Sequence, residues 1–530
     1  MSGSANLCGF CMISTTTFTK ISLQTSRAIW NRRKVMRVLE NIEPKSVFHF
    51  FEDLTEIPRP SWREKAVSDY LVKFANDRGL EVHQDKLYNV IIIKEASEGY
   101  EKEEPIILQG HMDMVCEKDP GVTKDMEREG LDLEVDGDTI RAKGTTLGGD
   151  DGIAVAYALA LLDSKTLRHP RLEFICTVCE EVGMEGAHGI DLSPIKGHIL
   201  LNMDSEKEGV VLAGCAGGGS ARVLLPVRRA PFEGQIVHIH VQGLIGGHSG
   251  AEINKGRASS VELEGRILRG LSSVTEIRLI ACVNGNKDNA ISRDGHLLLS
   301  VGNETAALQK LQEIEKAVDA EYSFTDPDIR FTVEDAVNFP SMTDEKAADE
   351  KAAPATWVPL TEEDTKQVIS LLTDLPQGIQ RMDDKIPGMV ETSLNWGVAS
   401  LDSEKLTMRS AVRSSVGTAK DALFEKLRWI AESCGASMDI SGEYPAWEWV
   451  EKSVLRDKMA RIYREMFGKE LVIETIHAGV ECGLLSEKIA HMDAVSMGPD
   501  IMDIHTPRER LSISSVQRMW EYIVRIIETK

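Results

Sequence analysis

Four consecutive segments of this chain carry apolar runs into residues able to hold a metal, and nothing else in the sequence constrains it so strongly. PIILQGHMDMV delivers His111 and Asp113 at the end of a buried-strand pattern. GTTLGGDDGIAVA places Asp150 and Asp151 in a Gly-rich turn at a helix start. LEFICTVCEEVGMEG ends in the pair Glu180–Glu181, and HILLNMDSEKEG ends in Asp204. In open parallel sheets, ligands gather beyond the carboxyl ends of the strands, so these ends are expected to meet in one place. Taken singly, an Asp at a helix start is ordinarily an N-cap and a Glu–Glu pair a solvated turn. Taken together, they describe buried strands that end repeatedly in His and carboxylates, and such groups need a cation to neutralise them. A second HMD string, His491–Asp493, follows an amphipathic run and reads as surface.

The apolar runs Val90–Ile93, Pro105–Gln109, Leu172–Val178 and Ile199–Asn202 alternate in part with helical patterns such as Gly152–Ser164. That alternation predicts an α/β fold with a mostly parallel sheet flanked by helices. Upstream, Val47, Phe50, Phe51 and Leu54 have helical spacing, Pro58 and Pro60 break it, and a second helix follows. GCAGGGS at Gly214–Ser220 reads as a flexible hinge into a second domain. Beyond it, alternation through Ile236–Val241 leads into GLIGGHSGAEI and a helix, with strand–helix units running to about Tyr444. Ser341–Asp364 reads as a solvated excursion. The predicted boundaries are an extension at 1–35 that is non-native or disordered, a first catalytic part at 36–216, an inserted α+β domain at 217–445, and a second catalytic part at 446–530.

The chain has 530 residues and a net charge of −23. So negative a surface repels nucleic-acid phosphates and anionic lipid but not a metal cation. The longest apolar run, Gly152–Leu162, is far short of the ~20 residues a spanning helix needs. Nine scattered cysteines make no secreted disulfide framework. The pair Cys8/Cys11 stands in the first segment; Cys176 and Cys179, three apart on a strand, point to opposite faces and read as core. A reducing, cytoplasmic location follows. From Met1 to Leu39 there is no acid, while Lys20, Arg27, Arg32, Arg33, Lys34 and Arg37 occur. This start resembles an organelle transit peptide, but the preferred reading is an upstream start codon, with the functional chain beginning near Met36.

Carboxylates with few His and no Cys suit paired borderline cations, Zn²⁺, Mn²⁺ or Co²⁺. Asp150, backed by glycines, can approach two cations at once. Of Glu180 and Glu181, one can bind metal while the other serves as general base. Asp113, two residues past His111, can fix the imidazole tautomer.

The ordered strings HMDMV, TTLGGDDG, CEEVGMEGA, NMDSE, GGHSG, HAGVECG and GPDIMDIHTPRE resemble the di-metal M20 metallopeptidase family. They are most similar to its branch of aminoacyl-histidine dipeptidases, also called Xaa-His or cytosolic non-specific dipeptidases. The likeness runs from about Met36 to Lys530. It implies a catalytic domain with an inserted lid, and two metal ions, zinc first with manganese or cobalt as alternatives. His111 and Asp204 would hold one, Glu181 and His505 the other, and Asp150 would bridge. Glu180 would be general base to a metal-activated water, and Asp113 would orient His111. In the lid, His248 would stabilise the oxyanion, while Asn289 and Arg413 would bind the substrate carboxylate or tetrahedral centre. Gly479 would present backbone to the peptide. His505 is implied by the family alone, since a His in a polar loop is ordinarily a surface residue. Asp151, in a GGDDG string where relatives often have Asn, is a rival bridge, and His477 a rival ligand.

The implied reaction is hydrolysis of dipeptides, Xaa-His included, and a homodimer through the lid is a further expectation. An N-acyl amino-acid deacylase or carboxypeptidase on the same metal core is the alternative within the class. A non-catalytic peptidase-like binding protein is the alternative outside it, and it predicts lost ligands where every expected position is filled.

Overall fold

The structure, a computed structural model, describes residues 37–340 and 358–530. The expected extension, and with it Cys8 and Cys11, lies outside the described residues, as does most of the Ser341–Asp364 segment.

Apolar alternation builds two large sheets. The first has eight strands in the spatial order Glu81–Gln84, Val90–Lys94, Leu172–Thr177, Ile106–His111, Ile199–Asn202, Asp493–Ser496, Val210–Cys215 and Val472–Ile476. Its centre is parallel: Ile106–His111 runs parallel to both Leu172–Thr177 and Ile199–Asn202, which in turn runs parallel to Asp493–Ser496. The sheet is mixed toward its ends, where Val90–Lys94 pairs antiparallel with both neighbours. Every residue of Ile106–His111 and of Leu172–Thr177 is buried, as expected of strands covered on both faces. The cover on one face includes Gly149–Asp163, a helix apolar all round, with Lys45–Thr55 and Ile513–Glu528 in the same core.

The second sheet has nine strands, all antiparallel in their pairings, drawn from Gly217 to Tyr444. It has its own core, in which Ile267, Leu268, Leu299, Trp396 and Leu427 are buried. The chain leaves the first sheet and returns to it at one point, where Cys215 and Trp447 exchange backbone hydrogen bonds of 3.0 and 3.2 Å. No described helix is long and apolar enough to cross a membrane.

Two sequence expectations need correction. GCAGGGS is not a slack linker: Val210–Cys215 and Gly217–Pro226 are strands, and Gly217, Gly218 and Gly219 are buried. A Cβ on Gly217 would stand 2.4 Å from the Ala446 nitrogen, and one on Gly218 2.5 Å from the Tyr444 hydroxyl. These glycines are there for close backbone approach, which composition cannot distinguish from flexibility. Gly217→Ala is accordingly expected to cost about 1–3 kcal/mol through overpacking. Gly302→Ala, whose nearest neighbour would be 3.5 Å away, should be close to neutral; denaturant unfolding of the two variants checks the contrast. The second correction concerns the acidic segment's end, which is not solvated. Leu360 is buried, and Thr361 caps the helix Glu362–Asp374 by accepting from the Asp364 amide.

His491 is exposed, whereas Asp493 accepts from Ser453 Oγ and the Leu455 amide at the start of the helix Val454–Phe467. Cys176 and Cys179 are buried and free, and Cys179 Sγ donates to Glu64 at 3.1 Å.

Candidate metal centre and its surroundings

The parallel strands end together, and their terminal side chains meet. His111 is the last residue of its strand; Glu180 and Glu181 follow Leu172–Thr177, and Asp204 follows Ile199–Asn202. Asp150 heads the helix Gly149–Asp163 with non-helical backbone angles (φ −80°, ψ 107°), outside the helical repeat.

One carboxylate lies between two imidazoles. Asp150 Oδ1 is 3.0 Å from His111 Nε2, and Asp150 Oδ2 is 3.1 Å from His505 Nε2. On the His111 side Asp204 Oδ1 is 3.6 Å away. On the His505 side Glu181 lies at 3.1–3.2 Å. Potential ligand atoms of His111, Asp150 and Glu181, and likewise of His111, Asp151 and Asp204, lie within 4.8 Å of one another. Asp151 accepts from the His111 backbone amide at 3.2 Å, beneath the imidazole.

Asp113 is fully buried and well partnered. It lies 3.3 Å from His111 Nδ1 and accepts from Ser61 Oγ at 2.8 Å and from the Glu180 and Glu181 amides at 3.1 and 3.3 Å. Those contacts outweigh burial and hold its carboxyl below the usual range. Asp113 thus anchors the loop carrying both glutamates and stands beside the His111 ring.

The electrostatics of the group call for a cation. Burial raises Asp151, Asp204 and Glu180, and neighbouring carboxylates add to it; Glu481 is pushed up to about 7. For His111, burial alone would lower the pKa, but Asp204, Asp113 and Asp150 outweigh it and lift the ring well above its ordinary value. His505, bonded to Asp150 and Glu181, is raised to about 11. Two imidazoles thus face an excess of buried carboxylate, and the donor set, nitrogen and oxygen without thiolate, suits Zn²⁺, Mn²⁺ or Co²⁺.

His505 sits in the turn between the short strands Ile501–Met502 and Arg510–Ser512, with a left-handed φ of 59° and 46% of its side chain exposed. No local pattern announces it.

Sequence reasoning missed three supporting residues. Glu509, 2% exposed, accepts from the backbone amides of Leu147, Gly148, Gly149 and Asp150 at 2.7–3.4 Å. Arg59, fully buried, donates to the carbonyls of Met112, Asp113 and Gly148. Glu481, in HAGVECG, accepts from Gln109 and Thr177 at 2.6 and 2.7 Å under the strand ends. The only hints were a Glu four residues past His505 and a charged residue inside otherwise apolar or Gly-rich strings.

Residues around His248 and Arg413 form a second group. His248, paired with Ala290 in a two-strand ladder, accepts on Nδ1 from the Gly250 and Ala251 amides at 3.2 and 3.0 Å, so the neutral ring carries its proton on Nε2. Burial and Arg413 keep its pKa low. Arg413 is buried; Nη1 donates to the Tyr444 hydroxyl at 2.9 Å, and Nε has no hydrogen-bond partner among the described residues. A Cβ on Gly250 would touch both His248 and Arg413, which places them side by side. Gly479 adjoins the Tyr444 ring and Met184. Asn289 joins this group through its backbone, its carbonyl accepting from the Ser249 amide, while the residue itself is exposed. His477 is not with the carboxylates: its Nε2 lies 2.7 Å from Ser393 Oγ, near Arg413.

Residues 107–529 match the model of peptidase family M20/M25/M40. The chain is 32% identical over 495 residues to the cytosol non-specific dipeptidase of Escherichia coli, covering 93% of this chain and 99% of the relative. The crystal structure of aminoacylhistidine dipeptidase from Vibrio alginolyticus superposes with a TM-score of 0.82 at 33% identity, covering 92% of this chain and 97% of that one. Aminopeptidase PepT from Bacillus cereus shares the fold at 16% identity, with a TM-score of 0.51 over 92% of this chain and 98% of that one. A matching family model over most of the chain, and a relative aligned along nearly its whole length, settle the assignment: this chain belongs to peptidase family M20/M25/M40.

Proposed function

We propose that this chain is a cytoplasmic metallo-dipeptidase, acting on Xaa-His among other dipeptides, with two divalent cations held at the strand ends. One observation carries the reading: the Asp150 carboxylate lies between His111 and His505, one on each oxygen. His111 and Asp204 would hold one cation, Glu181 and His505 the other, and Asp150 would bridge them. Zinc is the first choice, with manganese or cobalt as alternatives. Cations bound there supply Lewis acidity, lowering the pKa of water toward ~7 and polarising a carbonyl.

The chain's own groups do the rest. Glu180, on the same loop as Glu181 and without a hydrogen-bond partner fixed elsewhere, takes the proton from attacking water and returns it to the leaving amine. Asp113 keeps the His111 tautomer fixed. The segment 217–445 acts as a lid, in which His248, with its proton on Nε2, donates to the developing oxyanion. Arg413, with its Nε unpartnered, and Asn289 receive the substrate's free carboxylate, and Gly479 presents backbone to the peptide. A carboxylate receptor beside the reacting centre restricts substrates to short ones. The E. coli and V. alginolyticus relatives support the dipeptide and Xaa-His assignments by their names.

The experiment is a panel of dipeptides, Xaa-His included, set beside N-acetyl amino acids and longer peptides. It uses metal-stripped protein reconstituted with Zn²⁺, Mn²⁺ or Co²⁺. The expected result is turnover of dipeptides only, abolished by stripping and restored by a cation. Activity indifferent to stripping would overturn the metal reading. Preference for N-acetyl amino acids would favour a deacylase, and preference for longer peptides a carboxypeptidase.

A further inference from the structure

A second constellation of metal-ligating side chains lies in the nine-stranded sheet, apart from the residues discussed above. His238 and His240 alternate on Gln235–Gln242 and so share a face, and His296 stands directly opposite His240 on the neighbouring strand Gly295–Val301. The rings of His240 and His296 stack with centroids 4.0 Å apart. Asp294, one residue before the second strand, reaches both: Oδ2 lies 2.9 Å from His240 Nε2, and Oδ1 lies 3.2 Å from His296 Nε2.

The hydrogen bonds around these rings leave the Nε2 lone pair of His296 facing Asp294. His238 Nδ1 faces the Asp335 carbonyl at 3.3 Å, and a carbonyl only accepts, so this nitrogen carries the proton. The neutral ring then offers a lone pair on Nε2, 3.1 Å from His296 Nδ1, which must therefore donate. His296 is left with a lone pair on Nε2, 3.2 Å from Asp294 Oδ1. Likewise His240 Nδ1 donates to Glu334 Oε1 at 2.7 Å, which leaves Nε2 toward the other Asp294 oxygen. A proton on His240 Nε2 would satisfy that contact but not the one to His296.

We propose that His240, His296 and Asp294 bind one divalent transition-metal ion, of the Zn²⁺ class, at a site separate from the strand-end centre. Three features support it. His240 Nε2 lies 2.9 Å from one Asp294 oxygen and His296 Nε2 3.2 Å from the other, and one ligand atom from each of the three residues lies within 4.8 Å of the other two, compatible with the about 3.3 Å between neighbouring ligands of a tetrahedral ion with bonds of about 2.0–2.1 Å. Each imidazole has its other nitrogen held, one by Glu334 and one by His238, which is how ligating histidines are commonly oriented. Both imidazoles are 15% exposed and Asp294 is 56% exposed, so an ion has an entry path and room for water as a further ligand. Such an ion would tie the strand Gln235–Gln242 to Gly295–Val301 across their paired faces.

The test counts metal on the full, untagged chain. Parent, His240→Ala and Asp294→Asn proteins are stripped with chelator and equilibrated by dialysis against micromolar free Zn²⁺. Zinc per chain is then measured by mass spectrometry, with thermal unfolding as a check on folding. Both variants are expected to hold one zinc fewer per chain than the parent while hydrolysing dipeptides as the parent does. Equal counts in all three proteins would overturn the proposal. Asp294, more than half exposed, gives a variant whose folding is not in doubt should His240→Ala unfold. Because the reading is a difference between parent and variant, it does not depend on how many ions the strand-end centre holds.

Discussion

Glu180→Ala is expected to lose about 10²–10⁴-fold in kcat, the usual worth of a positioned general base, while its bound metal stays at the parent's level. The contrast follows from the loop's geometry. Glu181 faces His505 at 3.1–3.2 Å, whereas among the described residues the Glu180 carboxylate has no hydrogen-bond partner and lies where burial, with Asp204, Glu481 and Glu181 adding to it, pushes its pKa well up. A carboxylate so placed is poorly stabilised as an anion by the protein itself, and is therefore ready to hold a proton in transit. The two backbone amides of the loop remain anchored on Asp113 in the variant, so Glu181 keeps its place. Steady-state kinetics on a dipeptide, with metal counted on the same sample, make the measurement. Undiminished turnover would remove Glu180 from the role, and simultaneous loss of metal would make it a ligand instead.

The strand-end residues were legible because two signals coincide in them. Ile106–His111 and Leu172–Thr177 start in apolar residues and are buried from end to end, and a His or acid at the end of such a strand must leave the core beside its neighbours. His111, Asp204 and the Glu180–Glu181 pair needed only the rule that parallel strands point their carboxyl ends one way. His505 had no such signal. Its turn is polar and half exposed, and only tertiary packing of the 501–512 hairpin brings it to Asp150. The order of seven strings, a family property rather than a physical one, supplied it. The Gly214–Ser220 run misled for a different reason: absence of side chains is compatible with freedom and with tight contact alike, and the contacts come mainly from residues 443–449, far along the chain. Glu509 and Arg59 were illegible because an isolated charge looks solvated until its partners are known, and theirs are remote backbone groups. The bonds of Glu509 span about 360 residues of sequence.

That last contact yields the second large expected effect. Glu509→Ala should destabilise the fold by about 3–5 kcal/mol, the range for stripping a buried charge from its partners, and should weaken metal retention as well. Glu509 Oε2 receives the Leu147 and Gly148 amides and Oε1 the Gly149 and Asp150 amides. These are donors at the start of the helix Gly149–Asp163, which its own turns cannot satisfy. Without the carboxylate they are buried and unpaired, and the Arg59 guanidinium beside Gly148 loses the charge that most offsets its burial. The same turn carries His505, four residues earlier, to the Asp150 side chain. One short stretch, 505–509, therefore holds Asp150 by both its carboxylate and its backbone, and loosening the second grip disturbs the first. Glu509→Gln should fall between, since its amide offers one accepting oxygen to two pairs of donors. Denaturant unfolding of both variants, with zinc counted after dialysis, decides the matter. A Glu509→Ala protein within about 0.5 kcal/mol of the parent, the range of an ordinary surface substitution, would show that water or rearrangement replaces the carboxylate and that the loop holds Asp150 unaided.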